Sequence, residues 1–97
     1  MIRHIVMWKL KEENKAENAK LLKEKLEALP LIIPEIIELE VGININPDIS
    51  SCDAVLNSVF ASMDDLAKYQ KDPHHIAVSS FCKEIRLSRA VVDYNFE

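Results

Sequence analysis

All three histidines of this 97-residue chain fall in two places. His4 lies in an apolar opening segment, and His74 and His75 follow Asp72-Pro73 with Tyr69 just upstream. These are the side chains that could move protons. A helix N-terminus disfavours added positive charge. His75, at about the third position of a helix begun by Pro73, is therefore expected to be neutral. That is the form able to take a proton from a carbon acid or a hydroxyl. Tyr69 can donate to a carbonyl oxygen and hold the enolate-like oxygen that develops there. His75 and Tyr69 are thus the candidate catalytic pair. His4 shares its strand face with Val6 and Trp8 and is expected to point into the same interior. His74 reads as a solvated neighbour. The same residue types also have a purely structural reading, in which His4 is a satisfied core residue and Tyr69 caps the core edge with its hydroxyl in water. A metal reading would join His4 and His75 to a carboxylate such as Asp72 or Asp53. No His-x3-His or Cys-x2-Cys spacing supports it, and neither a metal nor another cofactor is expected.

The elements that must position these groups follow from periodicity. Ile2 to Lys11 alternates, with Ile2, His4, Val6, Trp8 and Leu10 on one side and Arg3, Ile5, Met7, Lys9 and Lys11 on the other, which predicts a strand. Asn14 and Glu17 have the spacing of a capping box, and Ala19, Leu22, Leu26 and Leu29 repeat at helical spacing behind it. Lys20/Glu24 and Lys23/Glu27 are spaced to pair on the outer face. Pro30 is expected to end this helix. From Glu35 the chain alternates again, with Ile37, Leu39, Val41, Ile43 and Ile45 opposed to Glu38, Glu40, Gly42 and Asn44. Asn46-Pro47-Asp48 marks a loop, and Asp53 to Ala61 is a third strand. Ser62 and Asp65 open a short helix that runs through Tyr69. Asp72-Pro73 restarts it with Asp as cap and Pro at the first position, and Val78, Phe81, Cys82 and Ile85 form its apolar stripe. Arg86 to Phe96 is the last strand.

This order predicts a single α+β domain over residues 1–97: a ferredoxin-like βαββαβ subunit whose four-stranded antiparallel sheet has its helices on one face. The first and third strands are central. Both carry apolar residues on both sides, so the bare face exposes a patch larger than a monomer usually tolerates. A homodimer buried through Ile5, Met7, Val55 and Val59 is expected, flanked by Glu38 and Glu40.

Bulk composition excludes several classes. The 48% hydrophobic content and single glycine argue against disorder. The net charge of -4, with no basic stripe, disfavours nucleic acid. No apolar run is long enough to span a bilayer, and Met1-Ile2-Arg3 leads into alternation instead of a secretory apolar region. The expected location is the cytoplasm. Cys52 and Cys82 are expected to be reduced, buried and inert.

The segments His4-Ile5-Val6-Met7-Trp8-Lys9-Leu10-Lys11, Leu39-Glu40-Val41-Gly42, Tyr69 with Pro73-His74-His75, and Val91-Val92-Asp93-Tyr94 together resemble the stress-responsive dimeric alpha/beta-barrel (Dabb) family over essentially the whole chain. The resemblance implies a subunit whose sheet pairs with a second copy to close a dimeric α/β barrel. One branch, similar to the plant olivetolic acid cyclase, a polyketide cyclase, implies a pocket lined by His4, Tyr69 and His75. A further catalytic His of that branch corresponds here to Ala54, a departure that speaks against the cyclase's own reaction. Haem degradation is known in other dimeric alpha/beta barrels but rests here on fold analogy alone.

The leading expectation is a small-molecule-binding protein with a pocket formed by His4, Val6, Leu56, Tyr69 and His75. It would take a small hydrophobic carbonyl compound and could act as a cofactor-free cyclase or lyase. The alternative is a non-catalytic homodimeric stress or interaction protein with structural histidines. Whether the protein is an enzyme is left open by the sequence.

Overall fold

The computed structural model describes all 97 residues. Its elements are β1 (Ile2–Leu10), α1 (Lys15–Glu27), a 3-10 turn (Leu29–Leu31), β2 (Ile36–Ile43), β3 (Ala54–Phe60), α2 (Met63–Lys71), α3 (Pro73–Ile85) and β4 (Arg86–Asn95). The strands form one antiparallel sheet in the order β2-β3-β1-β4. β1 and β3 are central, as the crossover rule requires, and the fold is the ferredoxin-like α+β arrangement.

The period-two pattern of β1 sends His4, Val6, Trp8 and Leu10 into the helix layer, where all four are buried. Leu56 and Phe60 of β3, Leu22 and Leu26 of α1, and Val78 and Cys82 of α3 close the same core. α2 and α3 start as their caps dictate. The Ser62 hydroxyl accepts from the Asp65 N–H at 3.1 Å, and the Asp72 carboxylate accepts from the His74 N–H at 2.8 Å with Pro73 in the first turn.

Several local expectations are corrected. Asn14 sits at the α1 cap position, but in the left-handed region at φ 54, and its side chain makes no capping bond. Asparagine tolerates that conformation, and the turn is tied instead by the Asn18 N–H donating to the Asn14 carbonyl at 2.8 Å. α1 stops at Glu27 and Pro30 falls inside the following 3-10 turn. Lys23 and Glu27 pair at 2.8 Å, whereas Lys20 and Glu24 form no ion pair. In β2 a register shift between Ile36 and Glu38 breaks the simple alternation. Ile36 goes into the core, Ile37 is left exposed, and Ile45 lies beyond the strand in solvent. Cys82 is buried as expected, but Cys52 is only half-buried; both are free thiols.

The two sheet edges differ. On β2, the Lys23 ammonium donates to the Val41 carbonyl, and the Val41 N–H donates to the Glu27 carboxylate at 3.0 Å. The Lys23 ammonium first, and then the Val41 N–H, hold that carboxyl below its ordinary range. α1 thereby occupies backbone groups that an edge strand would otherwise offer to another strand. β4 is different. Beyond Arg86 it is exposed on both faces, including Leu87, Val91, Val92 and Tyr94. No helix is long and apolar enough to cross a membrane.

Candidate functional site

Three elements bring the candidate groups together. β1 delivers His4, the last full turn of α2 delivers Tyr69, and the first turn of α3 delivers His75. Asp72, extended at φ -64 and ψ 133, breaks the helix between them and turns both side chains to one side. The Tyr69 and His75 rings then lie 4.3 Å apart, centroid to centroid. Tyr69 also meets Phe60 at 5.0 Å and His4 at 6.4 Å.

These rings border a cavity of about 260 Å³ between sheet and helices. His4, Val6, Leu56, Tyr69 and His75, the five residues expected to form a pocket, all line it. Trp8, Leu22, Leu26, Val78 and Cys82 complete its apolar wall, and Ser79, Lys83, Arg86 and Arg89 its polar side. Ala54 is packed in the core and paired with Trp8.

Tyr69 is fully buried, yet its hydroxyl has no hydrogen-bond partner. Burial pushes the phenol well above its ordinary range, against a smaller opposing pull from the Arg89 guanidinium, so the group stays an O–H donor. An unpaired hydroxyl in a low-dielectric site is a costly feature for a core residue.

His4 is 2% exposed, and its Nδ1 is hydrogen-bonded to the Asp93 carboxylate on the neighbouring strand. A carboxylate accepts, so Nδ1 donates, and in the neutral ring Nε2 is left as the free base. His75 is half-buried and donates from Nδ1 to the Gln70 carbonyl at 3.3 Å, which again leaves Nε2 free. Burial, more than any other influence, lowers the His75 pKa; His4 and Arg89 add to the effect, and Gln70 and Asp72 oppose it. The neutral form expected from the helix start is thus favoured, chiefly by desolvation. His74 is exposed and bonded to Asp72 at 3.1 Å.

The metal alternative finds no geometry. No group of three or more His, Cys, Asp and Glu side chains is arranged so that it could hold a metal ion. Asp72 is engaged by His74, and Asp53 accepts from the Leu10 N–H at 2.7 Å and lies 3.5 Å from Lys15.

On the opposite sheet face, Met7 is 41% exposed and Ile5 and Val55 are half-buried. Val59 shares this face but is already 4% exposed within the subunit, between Arg3 and Glu38. Arg3 donates to Asn57 at 3.0 Å there, so the centre of the face is not wholly apolar.

Sequence reasoning missed Asp93, Lys83, Arg86 and Arg89. The available signal was topological: a last strand beside the first, antiparallel, sets Asp93 opposite His4 and Arg89 opposite Trp8.

A histidine–carboxylate pair, an unpaired phenol and a neutral imidazole around one void can bind a polar oxygen and move a proton. The comparisons with known proteins add the family. The family model described as Stress responsive A/B Barrel Domain matches residues 2–96. A dimeric protein of unknown function and ferredoxin-like fold from Bacteroides fragilis NCTC 9343 superposes with TM-score 0.91 at 38% identity, covering 98% of this chain and 95% of that one. A hydroxynitrile lyase from Passiflora edulis superposes with TM-score 0.86 at 20% identity, covering 99% and 93%, which shows the shared fold alone. A dimeric ferredoxin-like protein of unknown function from Thermobifida fusca YX gives TM-score 0.87 at 21% identity, covering 98% and 90%. No curated protein matches the chain. The family match extends over all but the first and last residues, and the chain belongs to the stress-responsive A/B barrel domain family.

Proposed function

We propose that the protein binds a small carbonyl compound in the cavity beside Tyr69 and moves a proton on the carbon next to the carbonyl. The observation that carries this reading is the buried Tyr69 hydroxyl without a partner. In the reaction, His4 Nε2 takes the proton. The C–H electron pair moves into the carbonyl, and the enolate oxygen accepts a hydrogen bond from the Tyr69 O–H. Asp93 stabilises the imidazolium that forms on His4. The enolate can then add to a second carbonyl of the same molecule, as in a cyclase, and the alkoxide so formed takes the proton back from the His4 imidazolium. The reverse step, carbon–carbon cleavage, is lyase chemistry; neither needs an oxidant.

His4 takes the base role in preference to His75 because only His4 has a carboxylate behind it. A proton on His75 is opposed by burial, His4 and Arg89. Neutral His75 is suited to accept a hydrogen bond from the substrate and fix its orientation. The test is deuterium uptake from solvent at the carbon next to the carbonyl of phenylacetone, followed by proton NMR. Acceleration over buffer is expected, with a loss of about a hundredfold in Tyr69→Phe. No acceleration, together with no binding, would overturn the reading.

The working unit is proposed to be a homodimer formed through the uncovered sheet face around Ile5, Met7 and Val55. Support comes from exposed Met7 and half-buried Ile5 and Val55 on that face, and from the 38%-identical relative described as dimeric. The second reading, a non-catalytic dimeric stress or interaction protein, draws on β4, exposed on both faces.

A further inference from the structure

Three cations line the cavity: Lys83 near the end of α3, Arg86 at its cap, and Arg89 within β4. No carboxylate lines it. None of the three cations takes part in an ion pair. In a chain of net charge -4 this is a local reversal of sign. Lys83 and Arg86 alone could be explained as offsetting the negative end of the α3 dipole. Arg89 cannot, because it lies beyond the helix, directly opposite Trp8 in the β1–β4 ladder. That register puts it on the same sheet face as His4 and Val6. Its guanidinium is close enough to bear on Tyr69, His75 and Cys82, three separate points of the cavity wall. The nearest acid along that face of β4, Asp93, is already engaged by His4.

We propose that the ligand is an oxo acid, with its carbonyl oxygen at the Tyr69 hydroxyl and its carboxylate held by Arg89, Arg86 and Lys83. The proposal rests on the carbonyl reading above and adds the anionic end. Guanidinium forks match a carboxylate bidentately, and Val6, Trp8, Leu22 and Leu26 supply apolar wall for the rest of the ligand. A cavity of about 260 Å³ lies below the usual range for drug-sized ligands of roughly 300–1,000 Å³, which favours a small acid over a nucleotide or a coenzyme conjugate.

The experiment measures calorimetric affinity for levulinate and phenylpyruvate, each against its methyl ester, and for the carbonyl-free acid hexanoate. Wild type should bind at least one acid about tenfold or more tighter than its ester. That preference should vanish in Arg89→Gln and fall further in Arg89→Glu, two changes at an exposed position. Added salt should reduce it too. Tyr69→Phe should weaken acid and ester alike. If the esters bind as well as the acids in wild type and Arg89→Gln changes nothing, the carboxylate site is overturned while carbonyl binding stands. If hexanoate binds as tightly as the oxo acids and Tyr69→Phe is silent, the carbonyl reading fails, and the oxo-acid assignment with it. Failure of every probe to bind at millimolar concentration overturns both.

Discussion

The His4 ring and the Asp93 carboxylate are bonded across the ladder between the first and last strands, as direct Cα partners 89 positions apart. The contact is therefore a product of topology. It gives a core histidine a fixed tautomer. Removing the carboxylate leaves a nearly inaccessible N–H unpaired, so Asp93→Ala is expected to cost about 1–3 kcal/mol in urea denaturation. Asp93→Asn keeps an acceptor but loses the charge that steadies the imidazolium. It should keep most of the stability and lose most of the deuterium-exchange activity. An Asp93→Asn protein with full activity would remove His4 from the base role.

His75 supplies the pH signature. Its pKa lies below the ordinary 6.5. As pH falls through 6.5 the unfolded chain takes the proton first, so the folded state loses stability between 6.5 and the lower folded value, and none above it. The ring resonances of His75 should titrate with a midpoint below 6.5. Arg89→Gln should raise that midpoint, since Arg89 is one of the charges opposing protonation. A midpoint at or above 6.5 in wild type would contradict the neutral-imidazole role.

How much of this was legible beforehand depends on the range of each interaction. Local rules worked where the physics is local. The Asp72 and Ser62 caps and the facing of His4, Val6 and Trp8 follow from residue type and period. They failed where a neighbour overrides them, as at Asn14, whose backbone turns left-handed, and at Ile36 to Glu38, where a register shift moves Ile36 inward and Ile37 out. The cavity's histidines and tyrosine stood out because they are rare in the chain. Its cations did not, because Lys83, Arg86 and Arg89 look like ordinary surface residues until β4 is set beside β1.

The open sheet face yields an assembly test. Met7 is 41% exposed in one subunit, so glutamate there meets solvent in a monomer and costs little. In a dimer closed over this face the same charge would be buried. Wild type should sediment as a dimer at micromolar concentration, and Met7→Glu as a folded monomer. Val59→Glu is the poorer test, since Val59 is 4% exposed within the subunit and its substitution would threaten folding itself. A monomeric wild type would overturn the homodimer.

Tyr69→Phe separates a site from a scaffold most directly. The ring is fully buried and packs on Phe60 at 5.0 Å, contacts that phenylalanine retains. The hydroxyl it removes has no partner in the protein. A buried unpaired hydroxyl costs roughly 1–3 kcal/mol, so deleting it should leave stability unchanged or raise it. If the hydroxyl serves a ligand, the same change should weaken probe binding by about tenfold or more, the loss of one buried hydrogen bond. Gain in stability with loss of binding is the pattern of a residue kept for function at the expense of the fold. Urea midpoints and calorimetry on the same two proteins decide it. A Tyr69→Phe protein that is less stable, yet binds every probe like wild type, would mean that the hydroxyl serves the fold and that the cavity is not a carbonyl site.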